Sequence, residues 1–179
     1  MNKIYFISGV NGVGKTSIMP PLKILLPNDR YEIRDFDKRG IPANVDFKWR
    51  ISETKYWVEK GIELARKDKS IIICGFVEPS DFQDLLSNES LGIVLILLDA
   101  RPEIIRQRLI GRYTKNGYFD ESQTVIGKPI NVFINRNIYI LQQMKKMFEE
   151  LNCPIIDTSD LTPEEVAKQV AKLILKWEN

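Results

Sequence analysis

Residues 9–16 read Gly-Val-Asn-Gly-Val-Gly-Lys-Thr. This is the spacing G-x-x-x-x-G-K-[ST], in which glycines let backbone N–H groups curl around a phosphate. Lys15 then reaches the β and γ phosphates of a nucleoside triphosphate, and the Thr16 hydroxyl ligates Mg²⁺. The cradle comprises Gly9, Asn11, Gly12, Val13, Gly14, Lys15, Thr16 and Ser17. A helix starting at Gly14–Lys15 is expected to add its N-terminal partial positive charge. The apolar run Ile4-Tyr5-Phe6-Ile7 just before it reads as the buried strand the motif needs. Without that strand, the same residues would be only a glycine-rich turn. ATP and Mg²⁺ are the expected ligands.

The chain has no histidine, so any acid–base chemistry falls to carboxylates. Asp35 and Asp37 close the second strand-like run, and in open parallel sheets ligands sit outside the carboxyl ends of strands. One carboxylate there can handle Mg²⁺ water while the other orients an acceptor hydroxyl and takes its proton. The alternative is a polar loop start or a helix cap. Arg50 and Glu53 share a helical face, where an exposed ion pair is worth only ~0.2–0.5 kcal/mol. Trp49 and Trp57 flank them, and an aromatic-walled arginine suits a planar or anionic ligand. Arg108 and Arg112 are spaced i, i+4; like charges there repel mildly unless an anion lies between them. Arginines carried by a lid stabilise charge on a transferring phosphoryl group. Arg136, beyond the same loop, either approaches from the opposite flank or belongs to a solvated basic face. Gly75, at a strand end, allows close approach of backbone to substrate. Asp99 reads as the cap of the turn before Pro102.

Five short strand-like runs must position these groups: 3–8, 31–36, 70–75, 92–98 and 154–157. Helical patterns separate most of them, which predicts an α/β fold with a parallel sheet covered on both faces. Residues 45–67 read as a long amphipathic helix with Phe47, Ile51, Thr54, Val58, Ile62 and Ala65 as its buried stripe. Further helices are expected over 102–111 and 131–151. A last helix opens with a Thr162–Glu165 capping box and Pro163. Pro20-Pro21 should bend or shorten the first helix. Between about 112 and 130 periodicity fails over the length of an active-site lid. The expectation is a single domain over 1–179.

The charge balance of 26 Lys+Arg against 24 Asp+Glu calls for neither a nucleic-acid nor a membrane partner. Cys74 and Cys153 read as buried reduced thiols. The N-terminus enters the first strand without room for a signal peptide, and no apolar stretch approaches membrane-spanning length. A soluble, cytoplasmic protein is expected, as a monomer or homodimer.

Together these residues resemble the small P-loop kinases, above all the shikimate and gluconate kinase branch, with adenylate kinase more distant. The resemblance covers essentially the whole chain. Asp35-Phe36-Asp37 matches the D-x-D that ends the second strand of shikimate kinases, and Trp49-Arg50-Ile51-Ser52-Glu53 matches their aromatic-Arg-x-x-Glu. Where those kinases carry three glycines after the third strand, this chain has Cys74-Gly75-Phe76. The run from Leu97 to Arg112 looks like the strand and lid-entry helix of adenylate kinases, and Asp157-Thr158-Ser159 resembles their adenine loop. By this likeness the fold is a doubly wound three-layer α/β/α with a five-stranded parallel sheet in the order 2-3-1-4-5. Lys15, Asp37 and Arg112 would be catalytic, and Thr16 and Asp35 would serve the metal. Arg108 and Thr158 would meet the nucleotide, and Asp37, Arg50 and Gly75 the acceptor. The expected activity moves the γ-phosphate of ATP to a hydroxyl of a small molecule. The alternative is a nucleoside or nucleoside monophosphate kinase, for which Arg34, Arg39 and Arg50 could bind the acceptor phosphate. A polynucleotide 5′-hydroxyl kinase and a non-catalytic nucleotide-binding module are the remaining readings.

Overall fold

A computed structural model describes residues 3–42, 45–114, 124–125 and 127–178. The strands of its main sheet are β1 (Ile4–Ser8), β2 (Tyr31–Asp35), β3 (Ser70–Cys74) and β4 (Ile93–Asp99), joined by β7 (Ile155–Asp157). Two-residue strands β5 (Thr124–Val125) and β6 (Lys128–Pro129) form a separate antiparallel pair. The main sheet runs β2-β3-β1-β4-β7, all parallel. Counted among its own strands, that is the expected order 2-3-1-4-5.

Every residue of β1 and β3 is buried. That is the pattern of central parallel strands covered on both faces, and it explains why they read as unbroken apolar runs. The helices are α1 (Met19–Leu25), α2 (Phe47–Ala65), α3 (Pro102–Tyr113), α4 (Ile130–Glu150) and α5 (Pro163–Glu178). On one face Tyr5 stacks on Trp177 of α5 at 6.2 Å. On the other, Gly61 of α2 comes so close to Ile4 and Ile71 that an added Cβ would lie 2.6 Å from the Ile4 side chain. At the amino ends of the strands the Glu178 carboxylate accepts from the hydroxyls of Tyr5, Tyr31 and Ser70. This ties α5 to β1, β2 and β3. The Thr162–Glu165 capping box forms as expected.

Three expectations are corrected. Regular helix begins at Met19 rather than at Gly14, because residues 15–18 form turns and the two prolines then fall in the first turn of α1. Helical N–H groups there have no partner within the helix, so proline is tolerated. The buried stripe of α2 is Glu53, Thr54, Trp57, Val58, Gly61 and Leu64, whereas Phe47 is 50% exposed. Cys74 is buried, but Cys153 is only half-buried. Residues 115–123 and 126, most of the expected lid, lie outside the described residues.

Candidate active site

A cleft of about 950 Å³ opens at the carboxyl ends of β1, β2 and β3. Its floor is the loop from Asn11 to Ser17, with Lys15 at the centre. Gly12 and Gly14 hold φ of +93° and +99°, where an L side chain is strained, so the turn needs glycine at both. Ser8 fixes the start of the loop. Its Oγ donates to the Val77 carbonyl and accepts from the Val77 N–H at 3.1 Å. After the loop, Ile18 N–H bonds the Gly14 carbonyl and Met19 N–H the Thr16 carbonyl. Among the described residues, the N–H groups of residues 14–17 are thus not claimed by backbone carbonyls, and they remain available to an anion.

Lys15 Nζ donates to the Val10 carbonyl at 2.8 Å. Burial pulls its pKa down to about 8, against the opposing pull of Cys74, Asp37 and Asp35, while Arg112 lowers it further. Beneath it Cys74 is pushed up to about 12, chiefly by burial, so it stays a thiol.

Asp35 and Asp37 line the same cleft. Asp35 Oδ1 accepts from Asp37 N–H at 2.8 Å, capping a 3₁₀ turn over Phe36–Arg39. The D-x-D is therefore a cap as well as a pair of carboxylates at the cleft. The Asp37 pKa is raised, first by burial and then by the Asp35 charge, with Lys15 opposing. Gly75 also lines the cleft, yet the reason for glycine there is Phe36. A Cβ at position 75 would sit 2.1 Å from the Phe36 Cβ and displace the turn that carries Asp37.

On the opposite flank Arg108 is internal bracing. Its Nη1 donates to the Gly12 carbonyl (3.2 Å) and Thr158 Oγ1 (3.0 Å), and its Nη2 to the Thr158 carbonyl (2.7 Å). Thr158 Oγ1 in turn donates toward the carbonyls of Val13 and Asp99, each 3.1 Å away. Both residues line the cleft while locking the loop to the end of β7. Arg112 is exposed at the rim, 5.6 Å from the Tyr113 ring, and pairs with no carboxylate among the described residues. Arg136 is exposed beside a second cavity of about 250 Å³ that shares Asn11 and Phe76 with the cleft. Asp99 accepts from Ala100 N–H (2.9 Å), as expected of a cap, and pairs with Lys145 (2.8 Å).

Arg50 is brought elsewhere. The expected neighbourhood with Glu53 does not form; Arg50 Nε bonds Asp81 (2.8 Å) and its Nη2 bonds Glu78. Phe76 and Phe47 stand 5.0 and 5.8 Å from its guanidinium. Arg50 does not line the cleft. Glu53 pairs instead with Arg39 at 3.1 Å, and Arg34 with Glu32 at 2.9 Å.

Sequence reasoning missed two contributors. Asn137 is 6% exposed, and its Oδ1 accepts from the Asn11 N–H (3.0 Å), so α4 steadies the loop that floors the cleft. Its signal was a lone amide on the apolar stripe Ile130, Phe133, Ile134, Leu141, Met144. The Glu78–Asp81 pair forms a capping box with Pro79 at the first position, the same pattern that was legible at Thr162. Among the described residues no group of three or more His, Cys, Asp or Glu side chains is arranged to hold a metal. The donor set that fits Mg²⁺ is sparser. Mg²⁺ bound with a nucleotide takes one or two protein oxygens and fills its octahedron with phosphate and water. Thr16 and Asp35 both line the cleft, and each carries a side-chain oxygen of the kind such a site would take.

The chain is 30% identical over 171 residues to a protein of Pyrococcus abyssi named "Putative adenylate kinase", covering 94% of this chain and 82% of the relative. This chain belongs to that family of small P-loop kinases. A Pyrococcus furiosus protein of the same name is 29% identical over 174 residues, covering 96% and 83%. No family model matches the chain. Among solved structures, shikimate kinase from Acinetobacter baumannii superposes with a TM-score of 0.63 at 15% identity, covering 98% of this chain and 94% of that one. Thymidylate kinase from Candida albicans gives 0.54 at 13%, covering 99% and 92%. These two likenesses carry the P-loop kinase fold. Among the described residues no helix is long and apolar enough to cross a membrane.

Proposed function

We propose that this kinase moves the γ-phosphoryl group of ATP to a hydroxyl of a small molecule. The observation that carries the reading is the charge plan around the cleft. Asp35 and Asp37 face it, while Arg34, Arg39 and Arg50, which could have gripped an acceptor phosphate, each lie against a carboxylate of their own. An anionic acceptor group would meet two carboxylates there; a hydroxyl would meet a proton acceptor.

In this reading Gly9 to Ser17 cradle the triphosphate, and Lys15 exchanges its bond to the Val10 carbonyl for one to the β/γ oxygens. Arg108 and Thr158 form the base-side wall. Asp37 orients the acceptor hydroxyl and takes its proton. The acceptor oxygen bonds to the γ-phosphorus as the bond to the β–γ bridging oxygen breaks, ADP leaves, and the proton rests on Asp37. Arg112 stabilises the charge on the transferring group. Thr16 and Asp35 would hold Mg²⁺, which when bound neutralises phosphate charge.

A second reading, transfer to a nucleoside monophosphate, is favoured by the name of the relatives. One assay separates the two: ADP production from ATP with Mg²⁺ against sugars, nucleosides, shikimate and amino alcohols in parallel with the nucleoside monophosphates. The proposal expects turnover with an alcohol and background rates with AMP. Turnover with AMP and with none of the alcohols would replace it by the second reading.

A further inference from the structure

Asp37 stands on a turn that is held at positions 36, 37 and 39. Its N–H donates to Asp35 and its carbonyl accepts from Gly40 N–H at 2.9 Å. The flanking residues are held from α2. Trp57 Nε1 donates to the Phe36 carbonyl at 3.1 Å. Glu53 Oε2 accepts from Arg39 Nη1 at 3.1 Å, and that guanidinium lies 3.8 Å from the Tyr56 ring centroid. Glu53 and Trp57 are 5% and 4% exposed, and at i, i+4 they share one face of the helix.

Packing alone does not account for Glu53. Its pKa is raised first by burial, with Arg39 and then the neighbouring Trp57 N–H opposing, and no hydrogen bond of ordinary geometry reaches its buried Oε1 among the described residues. A half-satisfied carboxylate in the core is less stabilising than an apolar residue of similar shape. What the residue gains is location: the two α2 groups grip positions 36 and 39, one on each side of Asp37. Neither lines the cleft.

Resting on the hydroxyl-transfer reading, we infer that Glu53 and Trp57 are positioning residues that hold the 36–39 turn, and so keep the Asp37 carboxylate at the acceptor face of the cleft. They act through Asp37 and touch no reacting atom.

Trp57→Phe removes the indole N–H and keeps an aromatic ring; Glu53→Gln keeps the shape and removes the charge. The first measurement needs no acceptor. Hydrogen exchange of the Gly40 amide, which reports the turn directly, should quicken by about tenfold in either variant while the β1 and β3 amides keep their rates. Tyr56→Leu, at a partly exposed position, should quicken it by a smaller factor and serves if either buried variant fails to fold. The second measurement uses the best alcohol from the acceptor screen. Each variant should lower kcat by about tenfold with the KM for ATP unchanged, and should add nothing in an Asp37→Asn background. Unchanged exchange at Gly40, or losses that add to that of Asp37→Asn, would overturn the inference. A screen in which no alcohol reacts removes the hydroxyl-transfer reading, whereas the exchange measurement still decides whether α2 holds the turn.

Discussion

The phosphate-loop half of the cleft and the α2 half treat their cations in opposite ways. Lys15 and Arg112 have no carboxylate partner within salt-bridge distance among the described residues, and Lys15 is parked on a neutral carbonyl. In the α2 half, Arg39 is paired with Glu53 and Arg50 with Glu78 and Asp81. A cation that is to meet a triphosphate must be left without an internal counter-charge, or the ligand has to displace it. A cation that joins elements is more useful fully paired. Residue type alone does not separate these roles, since both halves contribute basic residues close to aromatic ones. Partners do.

The largest expected effect tests the first half. Lys15→Ala should cost on the order of 10³-fold in phosphotransfer rate, comparable to losing a strong electrostatic contact to the reacting group. The folded state should survive, because Nζ bonds one carbonyl and no other side chain. Single-turnover rates beside a thermal melt check both, and a folded variant of near-normal rate would break the comparison.

The converse holds for Arg50. Arg50→Met leaves Asp81, whose side chain is fully buried, and Glu78 without their cation. Removing one member of a buried pair typically costs ~3–5 kcal/mol, and the low end applies because Glu78 is partly solvated. Denaturant unfolding measures this. A stability within about 0.5 kcal/mol of the parent, together with a raised acceptor KM, would return Arg50 to the acceptor.

Asp37→Asn comes next. It keeps the shape and removes the proton acceptor, so kcat should fall about 10²-fold, the lower range for general base catalysis. The KM for ATP should stay unchanged. If kcat is unaffected, either Asp35 is the base or none is needed.

These variants also mark what was legible in the sequence. The phosphate loop is contiguous, and its backbone demands specific residue types at fixed spacing, so Gly12, Gly14, Lys15 and Thr16 could be read directly. The sheet was legible too, since doubly covered strands must be continuously apolar. The α2 half is assembled from residues up to 31 apart, such as Arg50 and Asp81, and helical periodicity does not say which carboxylate an arginine will find. Charge usually signals exposure, so Glu53 reads from sequence as half of an exposed pair with Arg50, although it is 5% exposed. Burial was possible because Arg39, fourteen residues upstream, delivers a counter-charge.

The smallest effect is a pH dependence that Lys15 imposes on two equilibria with opposite signs. Its pKa, about 8 in the folded chain, lies below the ordinary lysine value of 10.5 because burial disfavours the ammonium. Triphosphate binding wants the ammonium. Above pH 8 the free protein must therefore take up a proton on binding, and affinity for a non-hydrolysable ATP analogue should fall, approaching tenfold per pH unit. Folding runs the other way. Between about pH 8 and 10.5 the unfolded chain keeps this proton while the folded chain has lost it, so the unfolded state binds more protons. The contribution of Lys15 to the stability of the unliganded protein then rises with pH through that window. Cys74, held near 12, stays protonated across it and does not confuse the reading. Calorimetric titration at pH 7, 8 and 9 in buffers of different ionisation enthalpy measures affinity and proton uptake together. Lys15→Met should abolish both the uptake and the pH slope. An affinity that stays flat from pH 7 to 9 in the parent protein, together with undiminished affinity in Lys15→Met, would mean that Lys15 is not the group that meets the phosphate.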